Sequence, residues 1–106
     1  MHLSIYRTKK DVSAIVHAHP LFASAFTAMK CTINTNLTAE ATAICDDPCF
    51  VQYALMGSKK LASLASESIL KSDILLLENH GIITTGSSLL QAFDKLEVLE
   101  NAAKMT

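Results

Sequence analysis

The sequence predicts an α/β fold. Short apolar segments with β-branched residues alternate along the chain with longer segments whose apolar residues recur at helical intervals. No internal repeat, low-complexity tract or linker-like stretch divides the 106 residues, and half of them are hydrophobic. We therefore expect a single domain over residues 1–106 in which helices pack against a sheet.

Helical periodicity and capping signals define the expected helices. Pro20 suits the start of a helix because a backbone N–H would be unpaired there anyway. Ser87 or Ser88 is expected to cap the last helix. That helix carries one apolar stripe, formed by Leu89, Leu90, Phe93, Leu96 and Leu99. The expected helices cover residues 2–10, 21–29, 59–70 and 89–104, with a short element near 40–44.

Short apolar runs bounded by turn residues define the expected strands. Ile15 and Val16 are β-branched and precede Pro20, which ends their strand. Tyr53 falls in another expected strand and is interpreted as structural. The expected strands cover residues 14–19, 49–55, 73–78 and 82–85.

Composition excludes several classes of partner. The formal net charge is −1, from nine basic and ten acidic residues, and no basic cluster predicts binding to nucleic acid or to an anionic membrane. The apolar runs fall short of the roughly 20 residues that span a bilayer, and the N-terminus lacks a secretory signal. Three cysteines without a dense framework favour reduced thiols. We expect a cytoplasmic protein whose partners are small molecules or other proteins.

Three histidines form the candidate metal site. His17 and His19 are two residues apart, so on a strand their side chains point to the same face. His80 lies downstream in the run Glu78-Asn79-His80-Gly81. Three neutral imidazoles suit Zn²⁺ and leave a fourth position for water or substrate, which is typical of catalytic sites.

Other polar residues have plainer interpretations. His2 is expected to be a packing or surface residue outside the triad. Glu78 could support the site or act as a base, but a surface charge at a strand end is the favoured interpretation. Cys45 and Cys49 lack a matching second pair, so they are expected to be loop and buried thiols. Gly81 is expected to serve a backbone turn.

Four segments, taken in order, resemble the class II aldolase/adducin family, which includes L-fuculose-1-phosphate aldolase, L-rhamnulose-1-phosphate aldolase and L-ribulose-5-phosphate 4-epimerase. Residues 2–11 resemble the family's helix with a His and an Ile-Tyr pair. Residues 16–20, Val-His-Ala-His-Pro, resemble its first metal-binding strand. Residues 75–86 resemble its Leu-Leu-x-Asn-His-Gly segment, and the last helix is similar from Ala92-Phe93 through Glu100.

The resemblance implies a fold, a metal and a reaction. It implies a three-layer αβα sandwich with a central, mainly antiparallel sheet. It also implies that His17, His19 and His80 bind zinc, which stabilises an enediolate during retro-aldol cleavage of a ketose 1-phosphate such as L-fuculose 1-phosphate. The implied protein is a lyase of carbohydrate metabolism, acting as a homotetramer on a small phosphorylated sugar.

Family members are about twice as long as this chain, so we expect an N-terminally truncated, partial domain. The family's phosphate-binding loops and acid/base glutamate would precede Met1. The catalytic residues are therefore unknown, and catalysis by these residues alone stays open.

Three alternatives remain open. The first is the family's 4-epimerase. The second is a non-catalytic interaction domain like the adducin head, which shares a run similar to Ala28-Met29-Lys30-Cys31 although adducin's basic tail is absent here. The third is a degraded remnant that neither binds zinc tightly nor catalyses.

Overall fold

A four-stranded mixed sheet forms the centre of the molecule. The structure is a computed structural model that describes residues 2–29, 33–45, 47–55 and 57–106. The strands are β1 (Ala14–Ala18), β2 (Cys49–Val51), β3 (Ile74–Leu77) and β4 (Gly81–Gly86). Strand β4 runs antiparallel to both β1 and β3, and β2 runs parallel to β3. The spatial order is β1-β4-β3-β2.

Helices cover both faces of this sheet. The helices are α1 (His2–Thr8), α2 (Leu21–Met29), α3 (Ala39–Cys45), α4 (Lys59–Ile69) and α5 (Leu89–Met105). Helices α1 and α4 pack on each other, and α4 contacts β2 and β3. Helix α5 contacts β1, β4, α2 and α3. The predicted three-layer αβα sandwich with a mainly antiparallel sheet is confirmed.

Successive side chains of β3 point alternately into the two hydrophobic clusters of the core, one on each face of the sheet. Ile74 and Leu76 pack in the cluster that includes α2, α3 and α5, whereas Leu75 and Leu77 pack in the cluster that includes α1 and α4. Successive side chains of a strand point to opposite faces, and here each face is covered by helices. This is why all four residues of β3 are apolar and buried.

The predicted strand over residues 49–55 is wrong in its second half. Strand β2 ends at Val51, and Tyr53 lies in an irregular segment with 54% of its surface exposed. Strand β3, which pairs with β2, ends at Leu77 opposite Val51. Residues 78–80 form a turn, so β3 offers no strand residue to pair with the residues after Val51, and these leave the sheet.

The apolar stripe predicted on the last helix is only partly core. Leu96 and Leu99 are buried, whereas Leu89, Leu90 and Phe93 are exposed. The rest of the buried face is formed largely by small residues, namely Ala92, Val98, Ala102 and Ala103. Alanines let the helix approach the sheet closely, and a pattern of large apolar residues does not reveal them.

Serine side chains cap two of the helices. The hydroxyl of Ser58 accepts a hydrogen bond from the Leu61 N–H at the start of α4, and that of Ser88 accepts one from the Gln91 N–H at the start of α5, both at 3.1 Å. Ser88, and not Ser87, therefore caps the last helix. Within the described ranges, none of the helices combines the length and apolar character needed to cross a membrane.

Candidate metal centre

Strand register brings the three histidines to one edge of the sheet. His17 lies on β1 opposite Ile83 of β4, and His19 follows the end of β1 directly. His80 occupies the three-residue turn between β3 and β4, immediately before β4 begins. Because β1 and β4 are antiparallel neighbours, the last residues of β1 lie beside the first residues of β4.

The imidazole rings converge. The Nε2 atoms of His17 and His19 are 3.4 Å apart, and the ring centroids of this pair are 5.1 Å apart. The His80 ring lies 4.7 Å from that of His17 and 5.5 Å from that of His19. Each histidine offers one ring nitrogen to a group whose atoms all lie within 4.8 Å of one another. The structure thus brings together all three predicted ligands.

Asn79 shapes the turn that presents His80. Its φ of 56° lies in the left-handed region, which asparagine adopts more readily than most residues do. The His80 N–H donates to the Leu77 carbonyl at 3.0 Å, which closes the turn. In the Asn79-His80 pair, asparagine therefore suits the backbone conformation of the turn, and histidine supplies the candidate ligand.

Gly81 makes room for the His19 ring. A Cβ atom at this position would lie 2.5 Å from Cδ2 of His19 and 2.7 Å from the carbonyl oxygen of Ala18. Gly81 is the first residue of β4, and its φ is not in the left-handed region. The expectation that it serves a backbone turn is wrong, because what the position requires is space.

Burial and proximity keep two of the rings uncharged. Partial burial, followed by the neighbouring His80, His19 and His2, together lower the pKa of His17 from 6.5 to about 4. Burial, followed by the nearness of His19, also lowers the pKa of His80. Neutral imidazoles are the form that binds metals, so these two need not lose a proton at neutral pH.

The donor set fits zinc. Three imidazole nitrogens within reach of one point match a catalytic zinc site, in which three protein ligands leave one position open. His19 is exposed while His17 and His80 are half-buried, so the cluster is accessible from one side. A small molecule can therefore approach the point on which the three rings converge.

The other candidate residues lie outside this cluster. His2 is exposed, and its ring centroid is 6.2 Å from that of His17. Glu78 accepts a hydrogen bond from the Tyr53 N–H at 2.9 Å, so its carboxylate holds the segment after β2 against the end of β3. Sequence reasoning did not anticipate this contact between residues 25 positions apart.

Neither of the two described cysteines extends the candidate metal centre. Cys45 and Cys49 are free thiols, and Cys45 is packed in the core cluster beneath α5. Burial raises the pKa of the Cys45 thiol to about 11, which makes it a poor ligand. Cys31, and Lys30 in the run compared with adducin, lie outside the described residues.

Comparison with known proteins identifies the family. The family model described as the class II aldolase and adducin N-terminal domain matches residues 1–106. The chain belongs to the class II aldolase and adducin family. The resemblance seen in the four sequence segments is thereby confirmed.

Members of the class II aldolase and adducin family align along nearly the whole chain. An L-fuculose phosphate aldolase of Methanococcus maripaludis is 38% identical over 99% of this chain and 57% of its own length. A 3-oxo-tetronate 4-phosphate decarboxylase of Haemophilus influenzae is 33% identical over 98% of this chain and 51% of its own length. The solved structure of an L-fuculose 1-phosphate aldolase superposes with a TM-score of 0.89 and 32% identity, covering 98% of this chain and 49% of that one. The chain thus spans about half the length of the relatives it matches.

Proposed function

We propose that this chain carries the zinc-binding part of a class II aldolase, a lyase that cleaves a ketose 1-phosphate such as L-fuculose 1-phosphate by a retro-aldol reaction. The observation that carries the proposal is the convergence of His17, His19 and His80 from two strand ends on one accessible point. The 38% identity to a protein named L-fuculose phosphate aldolase supports this choice of substrate class.

The three histidines would hold the ion from the protein side and leave its other side open. Zinc bound there would act as a Lewis acid that stabilises the negative charge developing on a substrate oxygen as the carbon–carbon bond breaks. His17 and His80, which are half-buried, would form the base of the site. His19, which is exposed, would lie at its rim and adjoin the substrate.

The acid/base group is proposed to lie outside residues 1–106. The glutamate that serves this purpose in the family has no counterpart by motif in this chain. Glu78, the nearest acidic residue in sequence to His80, accepts the Tyr53 N–H and is thereby engaged in holding a loop. We therefore assign Glu78 a structural role and not proton transfer.

Decarboxylation of a 3-oxo acid is the second candidate reaction. The specific observation in its favour is the 33% identity to a 3-oxo-tetronate 4-phosphate decarboxylase. Loss of carbon dioxide from a 3-oxo acid also develops negative charge on a carbonyl oxygen, so the same zinc site would suit both reactions. Assays with different substrates would therefore distinguish aldol cleavage from decarboxylation, whereas metal analysis would not.

Metal analysis of the purified protein tests the zinc site. We expect one equivalent of zinc, lost in His17→Ala and in His80→Ala because each removes one of the converging nitrogens. His2→Ala is the matched control, since it removes a neighbouring imidazole that lies outside the cluster. Zinc binding that survives in both His17→Ala and His80→Ala would refute the site.

Turnover assays test the reaction. The phosphates of fuculose, rhamnulose and ribulose would be offered, together with 3-oxo-tetronate 4-phosphate, and the aldehyde, epimer or carbon dioxide product measured. We expect little or no turnover from residues 1–106 alone, because the acid/base glutamate is absent from them. Robust turnover would contradict our assignment of that group to a position outside this chain.

We also propose that the protein works as a homotetramer in the cytoplasm. The support in this chain for association is an apolar groove lined by Val16, Leu89, Leu90 and Phe93. Three of these side chains are 45% exposed or more, and they lie together in one groove; a contiguous apolar surface of this kind often marks a site of protein association. Light scattering coupled to gel filtration would give the subunit number, and a monomer at micromolar concentration would contradict this assembly.

A further inference from the structure

Helix α2 begins at Leu21, two residues after the metal-site residue His19. Pro20, which precedes the helix, has no side-chain oxygen with which to cap it. Within Leu21–Met29, the first turn carries no acidic residue either. The first N–H groups of a helix need acceptors, which either water or another part of the fold supplies.

Glu100 of helix α5 supplies such acceptors. One carboxylate oxygen, Oε1, accepts from the Ala23 N–H at 2.7 Å, and the other, Oε2, accepts from the Phe22 N–H at 2.9 Å. A carboxylate at this end of a helix also interacts favourably with the helix dipole. Glu100 thus caps the start of α2, although Glu100 and Ala23 are 77 positions apart in the sequence.

This contact bears on His19 because so little chain separates them. The His19 ring lies against the backbone of Gly81, where a Cβ atom would approach its Cδ2 atom to 2.5 Å. On the other side of His19, the chain passes through Pro20 directly into the turn that Glu100 holds. Pro20 and Glu100 line the same shallow cavity on α5. The His19 ring is therefore confined by Gly81, and the backbone that follows His19 is held by Glu100.

We propose that Glu100 is a positioning residue for the metal centre. By holding the first turn of α2, Glu100 sets the position of His19. This inference rests on the proposed zinc site for its functional consequence. The geometry of Glu100 and α2 stands on its own, so the two claims can fail separately.

The test compares Glu100→Gln with Ser88→Ala. Glutamine keeps the size of the side chain but removes its charge and one of its two acceptor oxygens. Ser88→Ala removes a cap from another helix, α5, beyond the far end of β4 from His80. Both variants weaken a helix cap, but only Glu100→Gln affects the helix that begins two residues after His19.

The first readout is zinc affinity, measured by calorimetry at a temperature well below the melting temperatures of the wild type and of the variants. We expect Glu100→Gln to bind zinc about tenfold more weakly, since lost support for a ligand costs about 10–100-fold in affinity. Ser88→Ala should bind within twofold of the wild type. If the wild type binds zinc, equal zinc affinities in the two variants would overturn the proposal. Glu100→Asp, which keeps the charge on a shorter side chain, is expected to fall between the wild type and Glu100→Gln.

The imidazole proton signals of His19 in the metal-free protein are the second readout, assigned with His19→Ala. We expect Glu100→Gln to shift them at constant pH and Ser88→Ala to leave them in place. Unmoved His19 signals would refute the positioning role whether or not zinc binds. If the wild type binds no zinc but the His19 signals still shift, the proposed function fails and the role of Glu100 in placing His19 stands.

Discussion

At the scale of single residues, the geometry of the candidate metal site involves a glycine as well as three histidines. Gly81 follows His80 in sequence and lies beneath the ring of His19 in space. Two of the neighbouring atoms that a Cβ would meet differ in how easily they move. The His19 ring is the end of a side chain, whereas the Ala18 carbonyl belongs to the paired backbone of β1.

Gly81→Ala is expected to weaken zinc binding by tenfold or more. The added methyl group would displace the His19 ring, because the Ala18 carbonyl has less freedom to move, and misplaced ligands lose affinity. The crowding should also lower the free energy of unfolding by about 1–3 kcal/mol. Zinc titration calorimetry and urea denaturation would measure the two effects.

Gly57→Ala is the matched control for this experiment. Apart from its chain neighbours, none of the described residues has an atom within 4 Å of a Cβ atom at Gly57, but the φ of +79° at this position is unfavourable for alanine. It should cost about 1–2 kcal/mol of stability and leave zinc affinity unchanged. A Gly81→Ala variant that bound zinc as the wild type does would show that His19 needs no such space.

At the scale of elements, helix α5 separates its apolar residues into two surfaces. Leu99 is fully buried against the sheet, while Leu90 is 78% exposed in the apolar groove near the start of the helix. Both belong to the stripe predicted from sequence, and the sequence pattern alone does not distinguish them. The difference arises because the helix meets the sheet along the face that carries Ala92, Leu96 and Leu99.

Leu99→Ala and Leu90→Ala test this division with the same chemical change. Leu99→Ala should lower the free energy of unfolding by about 2–5 kcal/mol, since it leaves a cavity in the core. Leu90→Ala should change it by about 0.5 kcal/mol or less in the monomer. Urea denaturation followed by circular dichroism would compare them. Equal losses would mean that Leu90 is covered in solution, which would favour association through the groove.

At the scale of the whole molecule, Asp73 links all three layers. It precedes β3 and pairs with Lys9, which follows α1, and with Lys95 of α5 at 3.3 Å. Burial by itself raises the pKa of Asp73, but the two lysines outweigh it and hold the pKa below the ordinary 3.8. The ionised form is therefore favoured by folding.

This depressed pKa predicts how stability depends on pH. A carboxyl group whose pKa is lower in the folded state stabilises the protein above pH 3.8, and the contribution is lost as the pH falls through the folded value. Asp73→Asn should therefore cost about 0.5–1 kcal/mol at pH 7, a small value because the side chain is 48% exposed. The difference from the wild type should shrink toward pH 3.

Urea denaturation at pH 7 and at pH 3 would measure this dependence. Asp11→Asn, which changes an exposed carboxyl group in the loop after α1, is the control and should have little effect at either pH. A difference between Asp73→Asn and the wild type that grew as the pH fell would have the wrong sign for this linkage.

The class of fold, the positions of most elements and the three candidate ligands are all predictable from the sequence. These properties follow from local signals: apolar periodicity, turn residues and the spacing of His17 and His19 on one strand. Family membership also followed from local runs, because four short segments kept their order and spacing. That the three histidines bind zinc stays a prediction.

The tertiary structure alone decided which contacts make those ligands converge. The register of β1 on β4 places His19 against Gly81, and the packing of α5 on α2 brings Glu100 to the start of the latter helix. The early end of β2 likewise follows from the length of β3. Each depends on atoms that are far apart in sequence and leave no local pattern. Spacing thus predicted which residues could bind a metal, and only packing decided how they are held.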